Sequence, residues 1–444
     1  MNPEFARNVW LEMTPQRLLL MVVVLGLIFF AVSLSKSADA LSFVAISLYY
    51  IIVVLWGSRR AALGVVDEIR DRTWDGQRLS ALGAGEMAWG KLFGATIYNW
   101  FGGAICLALL LASQTKLGVV NLFDETLYYV GIGVIAQSTA LLASLVAIGR
   151  RQRHSLFEVF VYQSCGVAAA VVLGVLWKQV DPFASELTRQ PAVETFPWWG
   201  TAMNAQLFLA ASIVLFAAWT LVGCYREMRL ELKMRNGPLV WLGFLLFVVV
   251  YVAGFDKLIT SDVGPLDLVS RRLFLAGLAG VGLTYVMVLL EPKDPVHYRW
   301  MFGQLRQGHP LRALSGLQAW MMSYVAAFGF AAALSLWLLH APRGASTQQL
   351  VLAAMGFVTR DTALFVLMQT LPGKRRGDYA ALAVLLVLYV LAPVILGGLH
   401  AEKLLLLCFP VPGAVDWAGV AIAWAEGLVV ASLATTRLVL LKKA

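Results

Sequence analysis

The 444-residue chain is 60% hydrophobic and only 14% charged, against about half apolar and a quarter charged in an average soluble domain, so a soluble globular protein is excluded. Uncharged runs at 18–34, 41–56, 237–254 and 379–399 approach the length that crosses a bilayer, and they are not the short alternating segments of an outer-membrane barrel. The net charge of +9 would suit nucleic acid, but where the charges lie explains it better.

Residues 1–16 form a polar start with Phe5, Val9, Trp10 and Met13 among them, which suggests a short interfacial helix. Ala38-Asp39-Ala40 imitates a signal-peptidase site. The leader before the apolar run is long, and losing the first span would invert every later loop, so that span is read as retained. Twelve spans are predicted. Six lie at about 17–35, 41–57, 92–112, 127–149, 156–177 and 201–224, and six at about 238–255, 270–290, 318–340, 349–370, 379–399 and 416–438.

With both termini cytoplasmic, every second loop is basic. Arg59 and Arg60 are followed by Arg150, Arg151 and Arg153, then Arg226, Arg229, Lys233 and Arg235, then Lys293, Arg299, Arg306 and Arg312, then Lys374, Arg375 and Arg376, and last Lys442 and Lys443. This topology puts 25 Lys and Arg inside against 9 outside, while Asp and Glu split 12 to 11. That is the positive-inside pattern of a plasma or bacterial inner membrane, and no nucleic-acid partner is needed.

The layout repeats. A first half, 17–235, carries a cytoplasmic loop at 58–91, and a second half, 236–444, carries one at 291–317. Each half ends with a long external loop, 178–200 and 400–415. The first holds Pro182, Pro191, Pro197, Trp198 and Trp199, and the second holds the apolar run 404–407. That run is too short to cross and is expected to dip into the membrane and return. Both halves point the same way, so an axis along the membrane normal can relate them.

Charge is densest at 57–91. Ile69, Thr73, Leu79 and Leu82 recur at roughly helical spacing with Asp67, Arg70, Asp71 and Arg78 between them, which predicts one amphipathic helix over 67–82 able to dock on something. The plain alternative is a solvated helix joining two spans. Gly85 to Lys91 fits the first seven positions of a phosphate-binding loop, but Leu92 stands where a hydroxyl should hold magnesium and no strand precedes it. No other nucleotide-binding signature is present, so the chain itself is read as binding no cofactor.

Arg360 and Asp361 lie mid-span, and Glu426 lies at similar depth in the last span. Intramembrane charge is costly, so these residues are either a structural ion pair or the polar lining of a substrate path. Arg360 is expected to pair with Glu426, and Asp361 to face a cavity or another polar group. Asn99, Trp100, Gln137, Gln163, Asn204 and Gln206 are read as interhelical hydrogen-bond formers, and Gly277, Gly280 and Gly282 as close-packing positions. Cys106, Cys165, Cys224 and Cys408, with five scattered histidines, show no metal-ligand spacing. No nucleophile–base arrangement appears, so the chain is not read as an enzyme.

Glu68, Thr73, Leu79 and Leu82, followed by Gly90-Lys91 at the head of the third span, resemble the first cytoplasmic loop of type-2 ATP-binding-cassette (ABC-2) transporter permeases. Val358-Thr-Arg-Asp and the run from Pro372 to Asp378 also resemble sequence of bacterial permeases in this group. The resemblance implies a transmembrane permease subunit, leaning to export, coupled to a separate cassette ATPase. The coupling residues it implies are Glu68, Arg70, Asp71, Arg72, Thr73, Trp74, Asp75, Arg78, Leu79, Leu82, Gly90 and Lys91. Besides lipid, it implies either a one-chain pathway or pairing with a second copy or another permease. The sequence departs from the family at Arg72, where Gly is usual, at Gly83-Ala84, where Pro is common, and in loop 291–317, which lacks the Glu/Thr pair. Two other readings are an ion-gradient-driven secondary transporter using the intramembrane acids and a non-transporting scaffold or sensor.

Overall fold

The computed structural model describes residues 2–34, 38–113, 119–149, 156–180, 194–234, 236–258, 266–339, 345–371 and 377–440. Arg150, Arg151, Arg153, Arg235, Lys374, Arg375, Arg376, Lys442, Lys443 and most of loop 178–200 lie outside them. The chain is an all-α polytopic membrane protein. Among the described residues ten helices are long and apolar enough to cross a bilayer, and an eleventh arises if a pair bent by 51°, Ala84–Gly94 with Ile97–Ser113, counts as one span. Leu239–Ala253 is apolar but shorter. The chain divides into two compact units, Met1–Phe196 with Ala202–Asn236, and Pro197–Thr201 with Gly237–Ala444.

In the first unit the organising helix runs through Ala38–Tyr49, Tyr50–Trp56 and Gly57–Arg70 without a break. Its middle section is π-helical, a geometry that loosens the regular carbonyl ladder. Side-chain amides from three other helices take up those carbonyls. Asn99 donates to Ile52 (2.9 Å), Gln137 to Val53 (3.0 Å) and Gln163 to Leu55 (2.9 Å). Trp100 donates in turn to the Gln137 carbonyl oxygen (2.9 Å). The interhelical role expected for these residues is met, whereas Asn204 instead caps its own helix by accepting from the Leu207 N–H. The bend in the third span has a local cause. The buried Thr96 hydroxyl takes the Leu92 carbonyl (2.7 Å) at the break, and a side chain inserted into the ladder is a known source of kinks.

The one strand pair among the described residues, Thr195–Trp198 with Thr201–Asn204, turns at Trp199 and Gly200, both with positive φ. The indoles of Trp198 and Trp199 donate to the Tyr251 and Val250 carbonyls at the end of Leu239–Ala253. Gly254 leaves the space, since a Cβ there would sit 2.2 Å from the Trp198 Nε1.

In the second unit, Ala345–Gln369 is the most enclosed helix and packs along Trp417–Leu440. Their approach is set by Gly356 and Gly427. A Cβ on Gly356 would lie 2.8 Å from the Ala423 carbonyl carbon, and one on Gly427 would lie 2.8 Å from the Gly356 oxygen. Gly280 meets the Ala327 backbone at 3.0 Å in the same way, as its close-packing reading requires, while Gly282 faces open space. Loop 291–317 folds into Pro295–Arg306 and Pro310–Ser315. It is fastened from within. Glu291 accepts the Ala319 and Trp320 N–H groups (2.9 and 3.0 Å) at the head of the next helix, and Lys293 pairs with Asp378 (2.8 Å).

Gly356→Val forces a side chain into backbone and should lower stability by about 1–3 kcal/mol, read as a fall in melting temperature in detergent. A Cβ on Gly26 meets nothing within 4 Å, so Gly26→Ala should not lower the melting temperature.

Candidate functional site

The single amphipathic helix expected over 67–82 does not form. Gly57–Arg70 stops, Trp74–Arg78 makes one turn, and Ala84–Trp89 starts a new helix. The stop lies at Arg72, whose φ is +60°. Its N–H donates to the Ile69 carbonyl (3.2 Å), and the Thr73 N–H donates to the Glu68 carbonyl (2.9 Å). This pair of bonds closes a helix through a left-handed residue, a position where glycine is usual. The Thr73 hydroxyl bonds the same Glu68 carbonyl at 3.2 Å. Helical spacing is therefore lost at Thr73, and Leu79 lies apart from the surface that Ile69 and Leu82 share.

Trp74 is 4% exposed and joins a core of Val65, Val66, Ala84 and Met87, against which Ile69 and Leu82 pack. Asp71, Arg72, Thr73 and Asp75 are exposed, and Leu79 is 89% exposed. Arg70 pairs with Asp67 (3.4 Å) and Arg78 with Asp75 (3.6 Å), surface contacts worth only a few tenths of a kcal/mol, about 0.2–0.5. The stretch is thus an anchored base carrying a bare tip.

The base is held by charge. Lys91 is 1% exposed and reaches both Glu68 and Glu4, the latter at 2.9 Å. Arg7 bonds the same two carboxylates, at 2.5 Å to Glu68 and 2.9 Å to Glu4. Two cations and two anions balance, Lys91 and Glu4 buried and Arg7 at the exposed edge. The Lys91 ammonium also lies 5.9 Å from the centre of the Trp74 ring. The N-terminal helix Pro3–Glu12 enters this cluster by lying across the head of the third span. A Cβ on Gly90 would be 2.6 Å from the Glu4 Cγ, and one on Gly94 would be 2.8 Å from the Asn8 Cβ. Asn2 caps that helix through its carbonyl oxygen, and its amide donates to the Glu86 carbonyl (2.6 Å). Glu12 pairs with Arg60 and with Arg17. Glu4, Arg7 and Glu12 were not singled out from sequence. The available signal was the Gly90/Gly94 pair, two small residues four apart that invite a close-packed helix.

The second constellation lies in the second unit. Arg360 uses all five of its N–H donors. Nε donates to Asp361 (3.0 Å), one terminal nitrogen to Glu426 (2.9 Å) and the Leu407 carbonyl (3.3 Å), and the other to the Tyr389 hydroxyl (3.2 Å) and the Cys408 carbonyl (3.3 Å). Asp361 is fully buried and also accepts from the hydroxyls of Tyr285 (2.7 Å) and Tyr389 (2.6 Å). Arg360 therefore pairs with Glu426 as expected. Asp361, adjacent in sequence, joins the same knot instead of turning to a separate one. The Leu407 and Cys408 carbonyls end the short helix Glu402–Leu407, the apolar run expected to dip into the membrane. Carbonyls at a helix end carry partial negative charge, so the guanidinium holds that segment by its backbone. Among the described residues no group of three His, Cys, Asp or Glu side chains is placed to hold a metal ion.

No protein-family model, curated protein or solved structure matches the chain. The arrangement of its own residues therefore carries the functional argument.

Lys91→Met leaves Glu4 buried against a lost partner and should cost on the order of 3–5 kcal/mol. Lys91→Met with Glu4→Gln should recover part of that loss, and a melting series in detergent reads both. In a Cys165→Ala background, Arg360→Lys frees the Leu407 and Cys408 carbonyls. Cys408, 4% exposed, should then react with a small maleimide much faster than in the parent protein.

Proposed function

We propose that this chain is the membrane permease of an ATP-driven transporter of the ABC-2 type, with twelve spans, cytoplasmic termini and an exporter's direction. It works with a separate cassette ATPase in a bacterial-type inner membrane. The twelve-span count takes the bent pair and Leu239–Ala253 as one span each. The observation that carries the reading is the exposed tip at Asp75 and Leu79 standing on a base locked by Trp74 and the Glu68–Lys91 pair. Lys91 heads the third span and Glu68 ends the helix that continues from the second. A push on the tip therefore reaches two membrane helices through one ion pair. Such a push drives transport only if the partner's contacts differ between two states. Glu68 acts here as the transmitter, and Leu79 as the part the ATPase touches.

A second reading draws on the Arg360 knot, where two carboxylates share one guanidinium, as the intramembrane machinery of an ion-gradient-driven transporter. Transport that survives ATP depletion and collapses with the proton gradient would favour it.

Leu79→Asp with Asp75→Arg changes only exposed side chains. The double variant should insert and melt as the parent does, while ATPase co-purification and ATP-dependent transport fall at least about tenfold, the loss of one interface anchor. Undiminished co-purification and transport would overturn the proposal.

A further inference from the structure

The head of the third span and the end of helix Ala205–Glu231 leave a groove of about 230 Å³ between them. It is lined by Gly85, Ala88, Trp89, Leu92, Phe93, Leu221, Cys224 and Tyr225, so its walls are apolar or aromatic. The one thiol, Cys224, is directed at the Ser138 carbonyl (3.2 Å), which leaves it no need of water. An apolar groove without unmet polar groups does not hold ordered water. Its volume falls below the roughly 300–1,000 Å³ of sites that enclose drug-sized ligands. It suits part of one alkyl chain.

The rim names the other end of the ligand. Tyr225 is 41% exposed and Trp89 52% exposed, the amphipathic aromatics found where hydrocarbon meets headgroups. One turn beyond Tyr225, the Arg229 guanidinium lies 5.7 Å from the Tyr225 ring centre and donates to its hydroxyl at 3.4 Å. The aromatic wall and the cation are thus parts of one feature. A basic side chain at the membrane end of a helix attracts anionic headgroups.

We propose that this groove binds an anionic phospholipid of the surrounding leaflet, one acyl chain between Trp89, Phe93 and Tyr225 and its phosphate at Arg229. The bound chain lies against the short helix that leads to Lys91. The site stands whether or not the protein works with an ATPase.

Gly85 provides the test. A Cβ there would meet the Tyr225 ring at 3.8 Å, ordinary contact with the groove wall, so Gly85→Leu starts a larger side chain beside that wall. The full-length protein is reconstituted in vesicles of equal phosphatidylglycerol and phosphatidylcholine. It is then extracted in mild detergent, and the retained lipid is measured by native mass spectrometry. The parent protein and Gly85→Ala should retain phosphatidylglycerol about fivefold over phosphatidylcholine, the preference one basic residue gives. Gly85→Leu should lose the retained lipid, and Arg229→Gln should lose the preference. Equal retention of the two lipids by the parent protein overturns the proposal. So does unchanged phosphatidylglycerol retention in Arg229→Gln, whatever the fate of Gly85→Leu.

Discussion

An ammonium group with 1% of its surface exposed is costly to bury unless anions are already in place around it. Lys91, at the head of the third span, meets this constraint with Glu4 of the N-terminal helix and Glu68 at the end of Gly57–Arg70. Arg7 balances the second negative charge. Much of the first unit's inner architecture follows. Gly90 and Gly94 must lack side chains so that Pro3–Glu12 comes close enough to contribute. The helix bearing Glu68 must end where it does, and Arg72 takes the left-handed position to end it. An arginine there bears a conformational cost that glycine would avoid. Its exposure keeps that cost from being joined by burial of a charge.

The second unit solves a related problem with different chemistry. A guanidinium cannot shed its proton, so enclosing Arg360 requires partners for every N–H. Two carboxylates supply charge and one tyrosine supplies a hydroxyl, while two backbone carbonyls complete the set. Those carbonyls make the difference between an ion pair and a fastening. A carboxylate partner fixes another helix, whereas a carbonyl partner fixes the path of the chain. The segment Glu402–Leu407 has little core of its own, so its place depends on Arg360. Asp361 and Tyr285 then orient the guanidinium from the opposite side.

The helices were legible in the sequence because long apolar runs admit few other structures: ten expected spans fall on described helices long enough to cross, one on the bent pair and one on the shorter Leu239–Ala253. Arg360 and Glu426 were legible as partners because charge at matching depth has few alternatives in hydrocarbon. The 67–82 stretch was misread because its spacing continues through a turn. Periodicity does not reveal a left-handed residue when that residue is not glycine. Glu4 was hidden for another reason. Its buried partner, Lys91, is 87 positions away, and an acid near a chain start looks like any solvated charge. The π-helical turns at Tyr50–Trp56 were hidden too, although Asn99, Gln137 and Gln163 announced themselves as donors. Their acceptors are backbone atoms, which leave no mark in the sequence.

These polar groups also decide what stays free. The residues that resemble a coupling motif divide into two kinds once their surroundings are counted. Glu68, Trp74, Gly90 and Lys91 are consumed by internal contacts, and Thr73 by closing the helix. Leu79 is left with solvent, and Asp75 with solvent and a surface pair to Arg78. An apolar side chain held bare on a single turn gains nothing for folding, since its burial is forgone. The same turn is nevertheless built on a buried tryptophan and on an ion cluster with a buried lysine at its centre, which is a rigid mount for so small an element. Rigidity beneath an exposed apolar tip suits a surface that transmits force, because a tip on a soft base would absorb displacement instead of passing it to the helices behind.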